Sequence, residues 1–284
     1  MTLKPPHPST SLALTSQLTP LHQCSYLPDR AARLELIELA KDERLDTPIF
    51  SQFSRLGYRR SGQHLYRPVC FHCQRCISTR VVVNEFEPNR TQRKLWQKSH
   101  EMDVVITACD DADESHFILY ARYICARHSD GDMYPPNLQG FKQFLQYSFT
   151  QSFFMEFWLH DKLVMVAVCD QLDDGISAVY TFYDPDATIN SLGTLAILTQ
   201  IDYVKRLGLP YLYLGFWVPD SDKMAYKSRF YPNELLINQH WHRFDEAVTA
   251  AQVEPLLQQA IKAHYLNMWN TTYTKPIKYS IIAI

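Results

Sequence analysis

Three consecutive, largely apolar segments lie in the middle of the chain, separated by short polar connections. Residues 153–159, 163–169 and 176–183 are rich in β-branched and aromatic side chains, and the connections between them, at 160–162 and 173–175, are short and polar. Connections of this kind join neighbouring antiparallel strands. The pattern therefore predicts a three-stranded antiparallel meander.

Helical patterns flank this meander on both sides. Asp113 is the predicted N-cap of a helix that ends near Gly131, and a second helix is predicted over residues 137–149. A helix over residues 191–207 and a strand over 211–218 follow the meander. The order of elements along the chain is two helices, three strands, a helix and a strand. This is the layout of a GNAT-type acyltransferase domain, so we predict an α+β fold with such a domain.

The segment before the meander predicts a smaller α/β unit. A short helix is expected to start at the N-cap Thr47, a hairpin over residues 58–67 to turn at Ser61-Gly62, a strand to cover 77–83, and a basic helix to run from its cap Asn89 to about residue 100.

The predicted domain organisation has four parts. Residues 1–20 are expected to form a disordered leader, because they are rich in Pro, Ser and Thr. Residues 21–103 form an N-terminal Cys-containing basic domain, residues 104–243 the GNAT-like transferase domain, and residues 244–284 a helical C-terminal extension.

Charge is distributed unevenly although the net charge is only −2. Residues 55–98 contain ten Lys or Arg and two Glu, whereas residues 101–114 contain six acidic residues and no basic one. A chain of this kind can present one basic face to RNA, or simply two solvated faces of opposite sign. We expect no DNA partner, and the lack of a long apolar run predicts a cytoplasmic protein without a membrane partner.

Three cysteines are spaced as Cys70-x-x-Cys73-x-x-Cys76. Thiolates at this spacing can converge on one ion across tight turns, with a fourth ligand from Cys24 or His72. The spacing predicts an iron–sulfur or zinc site formed by Cys24, Cys70, Cys73 and Cys76. Alternatively, the three neighbouring thiols pack a small reduced knuckle.

Two further motifs follow predicted strands. Tyr183 and Asp184 precede Pro185, which ends the third strand, so they lie where this fold usually opens its cleft. Asp184 is a candidate to orient or deprotonate an amine, although Asp is also common in turns. Lys223 and Lys227 supply point charges for phosphate or carboxylate, although such pairs are usually only surface residues.

One turn argues against a coenzyme A donor. Acetyl-CoA enzymes of this fold hold the pyrophosphate with a glycine-rich turn before the long helix. Here that turn, residues 188–193, contains only Gly193. The acyl donor is therefore expected to be something other than coenzyme A.

Taken together, the motifs occur in one order that resembles the arginyl-tRNA–protein transferase family, and most closely its bacterial aspartate/glutamate leucyltransferase branch. The resemblance covers roughly residues 20–242 and rests on six motifs: Cys24-x-Tyr26-Leu27-Pro28-x-Arg30, Tyr58-Arg59-Arg60-Ser61-Gly62, Tyr66-Arg67-Pro68-x-Cys70-x-x-Cys73, Tyr180-Thr181-Phe182-Tyr183-Asp184-Pro185, Ser191-Leu192-Gly193 and Lys223-Met224-x-Tyr226-Lys227.

The resemblance implies an aminoacyltransferase that needs no cofactor for transfer. Its donor would be leucyl-tRNA, and its acceptors would be proteins that begin with Asp or Glu and are thereby marked for degradation. The expected catalytic residues are Tyr183, Asp184, Lys223, Tyr226 and Lys227. The expected residues for the acidic N-terminus or the tRNA end are Arg30, Arg59, Arg60, Tyr66 and Arg67.

Three alternatives stay open from the residues alone. The same chemistry could use arginyl-tRNA, since no identified side chain reads the donor amino acid. An N-acetyltransferase would use acetyl-CoA, against which the sparse glycine argues. A Cys-rich RNA-binding module would bind tRNA with steep salt dependence and without turnover.

Overall fold

The computed structural model describes residues 12–39, 44–146, 148–270 and 278–281. Its strands are β1 (Leu12–Leu18), β2 (His22–Gln23), β3 (Ala31–Ala32), β4 (Leu34–Glu38), β5 (Arg59–Ser61), β6 (His64–Pro68), β7 (Ile77–Val82), β8 (Asp103–Ala108), β9 (Ser152–Leu159), β10 (Lys162–Gln171), β11 (Gly175–Tyr183), β12 (Tyr211–Trp217), β13 (Asn233–Ile237), β14 (His240–Phe244) and β15 (Lys278–Ile281). Its α-helices are α1 (Thr47–Arg55), α2 (Arg90–Ser99), α3 (Glu114–Arg127), α4 (Leu138–Phe141), α5 (Leu192–Arg206), α6 (Asp222–Ala225) and α7 (Ala250–Asn270).

An eight-stranded sheet forms the centre of the α+β fold, in the order β14-β13-β7-β12-β11-β10-β9-β8. The predicted antiparallel meander is confirmed as β9, β10 and β11. Strand β10 shows why helices cover both faces: Val166 and Val168 pack in the same cluster as α3, whereas Met165 and Ala167 pack with α5. Successive residues of a strand point to opposite faces, so the continuous apolar run of β10 fits a strand buried on both sides.

A second sheet, in the order β15-β1-β4-β6-β5, contradicts part of the predicted leader. Strand β1 pairs antiparallel with β4 and with β15. The side chain of Leu14 is buried in the same cluster as Ile37 and Leu65, and this apolar contact stabilises a strand that the Ser- and Thr-rich composition hid. The prediction of disorder is wrong for residues 12–18, and residues 1–11 lie outside the described residues.

The large sheet also crosses the boundary predicted at residue 103. Strand β7 comes from the N-terminal segment, yet it pairs with β12 on one side and β13 on the other. The N-terminal segment therefore supplies a central strand to the same sheet as the transferase segment. In the predicted C-terminal extension, α7 is followed by β15, which pairs with β1.

Local predictions hold with three corrections. Helix α2 has the predicted Asn89 cap, which forms a capping box with Gln92. Helix α1 begins at Thr47 itself and Asp46 is its N-cap residue, so the predicted cap was wrong by one position. Helix α3 ends at Arg127, short of the predicted end. The helix predicted over 137–149 is the short α4 followed by a π-helical turn, Lys142–Gln146.

Arg60 connects the two sheets through a buried ion pair. Its guanidinium donates to both carboxylate oxygens of Asp170 on β10, at 2.8 and 2.9 Å, and both side chains are 0% exposed. Breaking such a buried pair leaves an uncompensated charge, which is strongly destabilising. In the part of the chain that the structure describes, no helix is both long and apolar enough to span a bilayer.

Candidate active site

The large sheet opens between β11 and β12. These parallel strands pair over only three positions, Gly175↔Tyr211, Ile176↔Leu212 and Ser177↔Tyr213. Their close approach at the start depends on Gly175, because a Cβ there would lie 2.0 Å from the Tyr211 carbonyl oxygen. After Ser177 the strands separate. This gap between β11 and β12 is the candidate site.

Arg59 fills the base of the gap from the second sheet. Its Nη2 donates to the carbonyl oxygen of Ala178 on β11 at 2.6 Å. On the opposite side, Gly215 of β12 has φ +78°, and a Cβ there would lie 2.6 Å from the Arg59 Cζ. Glycine is therefore needed both for the backbone conformation and for the guanidinium.

The Arg59 guanidinium retains a free donor. Burial lowers its pKa, although nearby Tyr66 partly offsets this effect. Its buried Nη1 has no hydrogen-bond partner among the described residues. An unpaired buried N–H group is costly, so it is a strong candidate to bind an oxygen atom of a ligand.

A second buried cation, Lys227, lies beside Arg59. Its Nζ donates to the Phe216 carbonyl oxygen of β12 at 2.8 Å. Burial lowers the pKa of Lys227 to about 7, and the neighbouring Arg59 charge contributes to this decrease. Near neutral pH this amine can therefore donate or accept a proton.

Tyrosines lie beside Arg59 and at the end of β11. Tyr66 packs edge-on to Phe216 with ring centroids 6.0 Å apart. Burial raises the pKa of Tyr66 and of Tyr26, so both phenols stay neutral. Tyr183 packs against Tyr123 of α3 with ring centroids 4.8 Å apart. Beside them lies Tyr226, whose pKa is raised by burial and by Tyr183.

Asp184 is placed at the end of β11 as predicted, but it is not a free base. Its buried carboxylate accepts from Arg122 Nη2 at 2.7 Å and from Lys162 Nζ at 2.6 Å. Burial alone would raise its pKa, but the hydrogen bonds from Lys162, Asp186 and Arg122 lower it below the usual value. A carboxylate held by two cations is a poor proton acceptor, and this arrangement fits a positioning residue.

Three predicted basic residues are separated from the gap or already paired. Arg60 is committed to Asp170, so its predicted substrate contact is contradicted by its burial. Arg67 donates to the buried Glu35 at 2.8 Å and lies over the Tyr58 ring, which leaves it little freedom to hold a substrate. Lys223 is 68% exposed and its nearest carboxylate is 3.9 Å away. Lys223 and Lys227 therefore do not act as a pair.

Arg30 lies in the exposed turn that also contains Tyr26 and Cys24. The backbone N–H of Cys24 donates to the Arg30 carbonyl oxygen at 2.9 Å, which closes this turn. Tyr26 is close enough to Arg59 for their charges to interact. The turn thus places Arg30 on the loop that covers the base of the gap.

The four predicted metal ligands lie near one another. Burial raises the pKa of the Cys76 thiol to about 12, and Cys24, Cys70 and Cys73 add to this shift. All four are free and partly buried. In the described ranges, no three His, Cys, Asp or Glu side chains are arranged as a metal-binding group. The donor set suits a soft metal, and the site stays a prediction.

Sequence reasoning missed Gly215, Lys162 and Arg122. Gly215 had a readable signal, because glycine in the interior of an apolar strand often marks close approach of another group. The two cations that hold Asp184 had no such signal. They are 22 and 62 residues away in sequence, and only the sheet brings them together.

Comparison with known proteins finds two family models that match most of the chain. The model described as "Arginine-tRNA-protein transferase, N terminus" matches residues 22–94, and the model described as "Arginine-tRNA-protein transferase, C terminus" matches residues 115–237.

Curated relatives agree with these matches. An aspartate/glutamate leucyltransferase of Acinetobacter baylyi is 44% identical over 258 residues, covering 91% of this chain and 94% of the relative. A protein of the same name from Pseudomonas aeruginosa is 46% identical over 220 residues, covering 78% and 92%.

Solved structures overlay only loosely. FemX has a TM-score of 0.41 at 8% identity, covering 74% of this chain and 81% of its own. L-PGS from Bacillus licheniformis has a TM-score of 0.40 at 10% identity, covering 59% and 49%.

The packing of Arg59 against Gly215 can be tested by alanine substitution. Gly215→Ala is expected to cost ~1–2 kcal/mol for the positive φ, and a further ~1.5–3 kcal/mol because the displaced Arg59 loses its charged hydrogen bond. Urea unfolding measures both contributions.

Matched controls separate the two contributions. Gly208 has φ +70°, and a Cβ added there would meet no atom within 4 Å, so Gly208→Ala should show the backbone cost alone. A Cβ at Gly193 in α5 would also meet nothing, so Gly193→Ala should be neutral or slightly stabilising. In an Arg59→Ala background the effect of Gly215→Ala should shrink. Equal losses for Gly215→Ala and Gly208→Ala would contradict the packing described here.

Proposed function

The chain belongs to the arginine-tRNA-protein transferase family, and from this premise we propose that it transfers leucine from leucyl-tRNA to the N-terminal amine of proteins that begin with Asp or Glu. The relatives carry the name of this reaction. The added leucine would mark the acceptor for degradation by the N-end rule. Because charged tRNA is the donor, the proposed location is the cytoplasm. We also propose that α3 to β12 form a GNAT-type domain.

The reaction joins the N-terminal amine of the acceptor to the aminoacyl ester of the tRNA. Because the ester is already activated, the enzyme mainly has to position the two groups. The amine lone pair attacks the ester carbonyl carbon, and the carbonyl oxygen becomes an oxyanion. Collapse of this intermediate forms the amide and breaks the bond to the ribose oxygen. One proton leaves the amine and one is delivered to the ribose oxygen, so the site must stabilise an oxyanion and move protons.

The unpaired Nη1–H of Arg59 is the observation that best supports this proposal. A fixed, buried donor that has no partner among the described residues suits the developing oxyanion, because it is already desolvated. Lys227 lies beside it with a pKa near neutrality, which suits proton transfer from the amine to the ribose oxygen. Asp184 would then position Lys162 and Arg122 at the end of β11.

The residues around the gap would select both substrates, the leucyl-tRNA and the acceptor protein. The aromatic side chains of Tyr123, Tyr180 and Tyr183 offer an apolar surface for the leucyl side chain. Arg30 on the covering turn is exposed and suits the carboxylate of an N-terminal Asp or Glu. Lys223, at the mouth near Tyr226, suits a phosphate of the tRNA end.

Transfer assays test the proposal directly. Labelled Leu and Arg, each on its own tRNA, are offered with peptides that begin with Asp, Glu, Lys or Ala. We expect Leu to be incorporated into the Asp and Glu peptides only, since a cation on the turn discriminates against Lys and gains nothing from Ala.

Other outcomes of this assay would contradict the proposal. Incorporation of Arg in place of Leu would support the same transfer chemistry but show that the donor is arginyl-tRNA and not leucyl-tRNA. Incorporation from neither tRNA, with tRNA binding intact, would indicate a binding protein rather than an enzyme.

We further propose that Cys24, Cys70, Cys73 and Cys76 hold an iron–sulfur cluster or zinc with a structural role. The four thiols are close enough for their charges to interact, and soft donors of this kind suit either group. Elemental analysis of anaerobically purified protein should find stoichiometric Fe or Zn, and the content should fall in Cys73→Ser but not in the exposed control Cys125→Ser. Less than stoichiometric amounts of both metals in the unaltered protein would contradict the proposal.

A further inference from the structure

Helix α2 presents a row of exposed cations to solvent. Arg90, Arg93, Lys94 and Lys98 all lie on its outer face, which we call the α2 basic face. From Arg90 to Lys98 the face is roughly 12 Å long at 1.5 Å per residue. A row of this length can follow several consecutive phosphates of a nucleic acid backbone.

The cations are placed where a helix does not favour them. The first turn of α2 has no acidic residue, and instead Arg90 and Arg93 lie at the positive end of the helix dipole. Their positive charges add to the positive field of the first helical turn. A solvated face of no function would gain stability from Asp or Glu at these positions.

The cations are also not neutralised by the protein. Over the described ranges, no carboxylate lies within ion-pair distance of Arg90, Arg93, Lys94 or Lys98, and Arg93 only donates to the Pro88 carbonyl oxygen. By contrast, the nearby Arg206 is paired with Asp202 and Arg243 with Glu85. The positive potential of the α2 basic face is therefore free to act on a partner.

The α2 basic face adjoins the candidate active site. Gln92 of α2 donates through Nε2 to the Arg229 carbonyl oxygen at 3.2 Å. Arg229 ends the short helical turn Tyr226–Arg229, which also contains Lys227 of the gap. One hydrogen bond thus joins the face to the turn that carries a buried cation of the site, and exposed Arg229 extends the positive surface towards it.

We propose that the α2 basic face binds the phosphate backbone of the acceptor arm of the donor tRNA and directs its aminoacylated end into the gap between β11 and β12. The proposal rests on the proposed function for the identity of the RNA. A lipid surface fits less well, because membrane helices insert an apolar face. The apolar residues of α2, Leu95 and Trp96, instead pack inward with Tyr203 of α5.

A double substitution tests this surface. Arg93→Gln with Lys98→Gln keeps residues that favour helix, so α2 should still fold. We expect the KM for leucyl-tRNA to rise roughly tenfold with kcat unchanged at saturation, and the slope of log affinity against log salt to fall by roughly two. The matched control is Arg44→Gln with Lys262→Gln, two exposed cations outside the face, which should leave both quantities unchanged.

Binding to uncharged tRNA and to anionic phospholipid vesicles, measured on the same three proteins, separates the possible failures. Loss of tRNA binding in the Arg93/Lys98 variant supports the proposal even if the unaltered protein transfers no leucine, in which case only the proposed function fails. Equal KM and equal tRNA affinity in both double variants would overturn the inference while the transferase stands. Charge-dependent binding to vesicles but not to tRNA would also overturn it.

Discussion

The fold depends on one unusual constraint, the unpaired gap in the middle of an eight-stranded sheet. Where β11 and β12 separate, backbone groups inside the protein lose their ladder partners, and a buried carbonyl without a partner is costly. Arg59 satisfies the Ala178 carbonyl from the second sheet, and Gly215 makes room for it. The next residue, Arg60, points to the opposite face of β5 and forms a buried ion pair with Asp170. Two adjacent arginines therefore hold the sheets together and keep the gap open.

The gap concentrates positive charge in a place with little water. Burial lowers the pKa of both Arg59 and Lys227, and the neighbouring Arg59 charge lowers the pKa of Lys227 further. Protein stability alone would favour apolar residues there. Two poorly compensated cations are instead what an ester transfer needs, because they stabilise a developing oxyanion and exchange a proton near neutral pH. Asp184, fully compensated by Arg122 and Lys162, contributes position rather than basicity.

The sequence predicted the features that are local. The meander could be predicted because its strands and tight turns follow one another along the chain, and α2 because its cap, Asn89, immediately precedes it. Strand β1 was missed because one of its two partners, β15, is more than 250 residues away and because its Ser and Thr residues resemble a disordered segment. The sequence alone did not distinguish the roles of Arg59 and Arg60. Only the packing of β5 on the large sheet decides which one enters the gap and which one becomes structural.

In the proposed reaction, the gap beside Arg59 receives the aminoacyl ester. The most direct measurement is a crystal structure of the protein with a leucyl-adenosine analogue whose ester is replaced by a stable amide. We expect the leucyl carbonyl oxygen to lie within hydrogen-bond distance of Arg59 Nη1, with the leucyl side chain against Tyr123, Tyr180 and Tyr183. An analogue bound elsewhere, with Arg59 Nη1 still without a partner, would show that the gap is not the site of the ester.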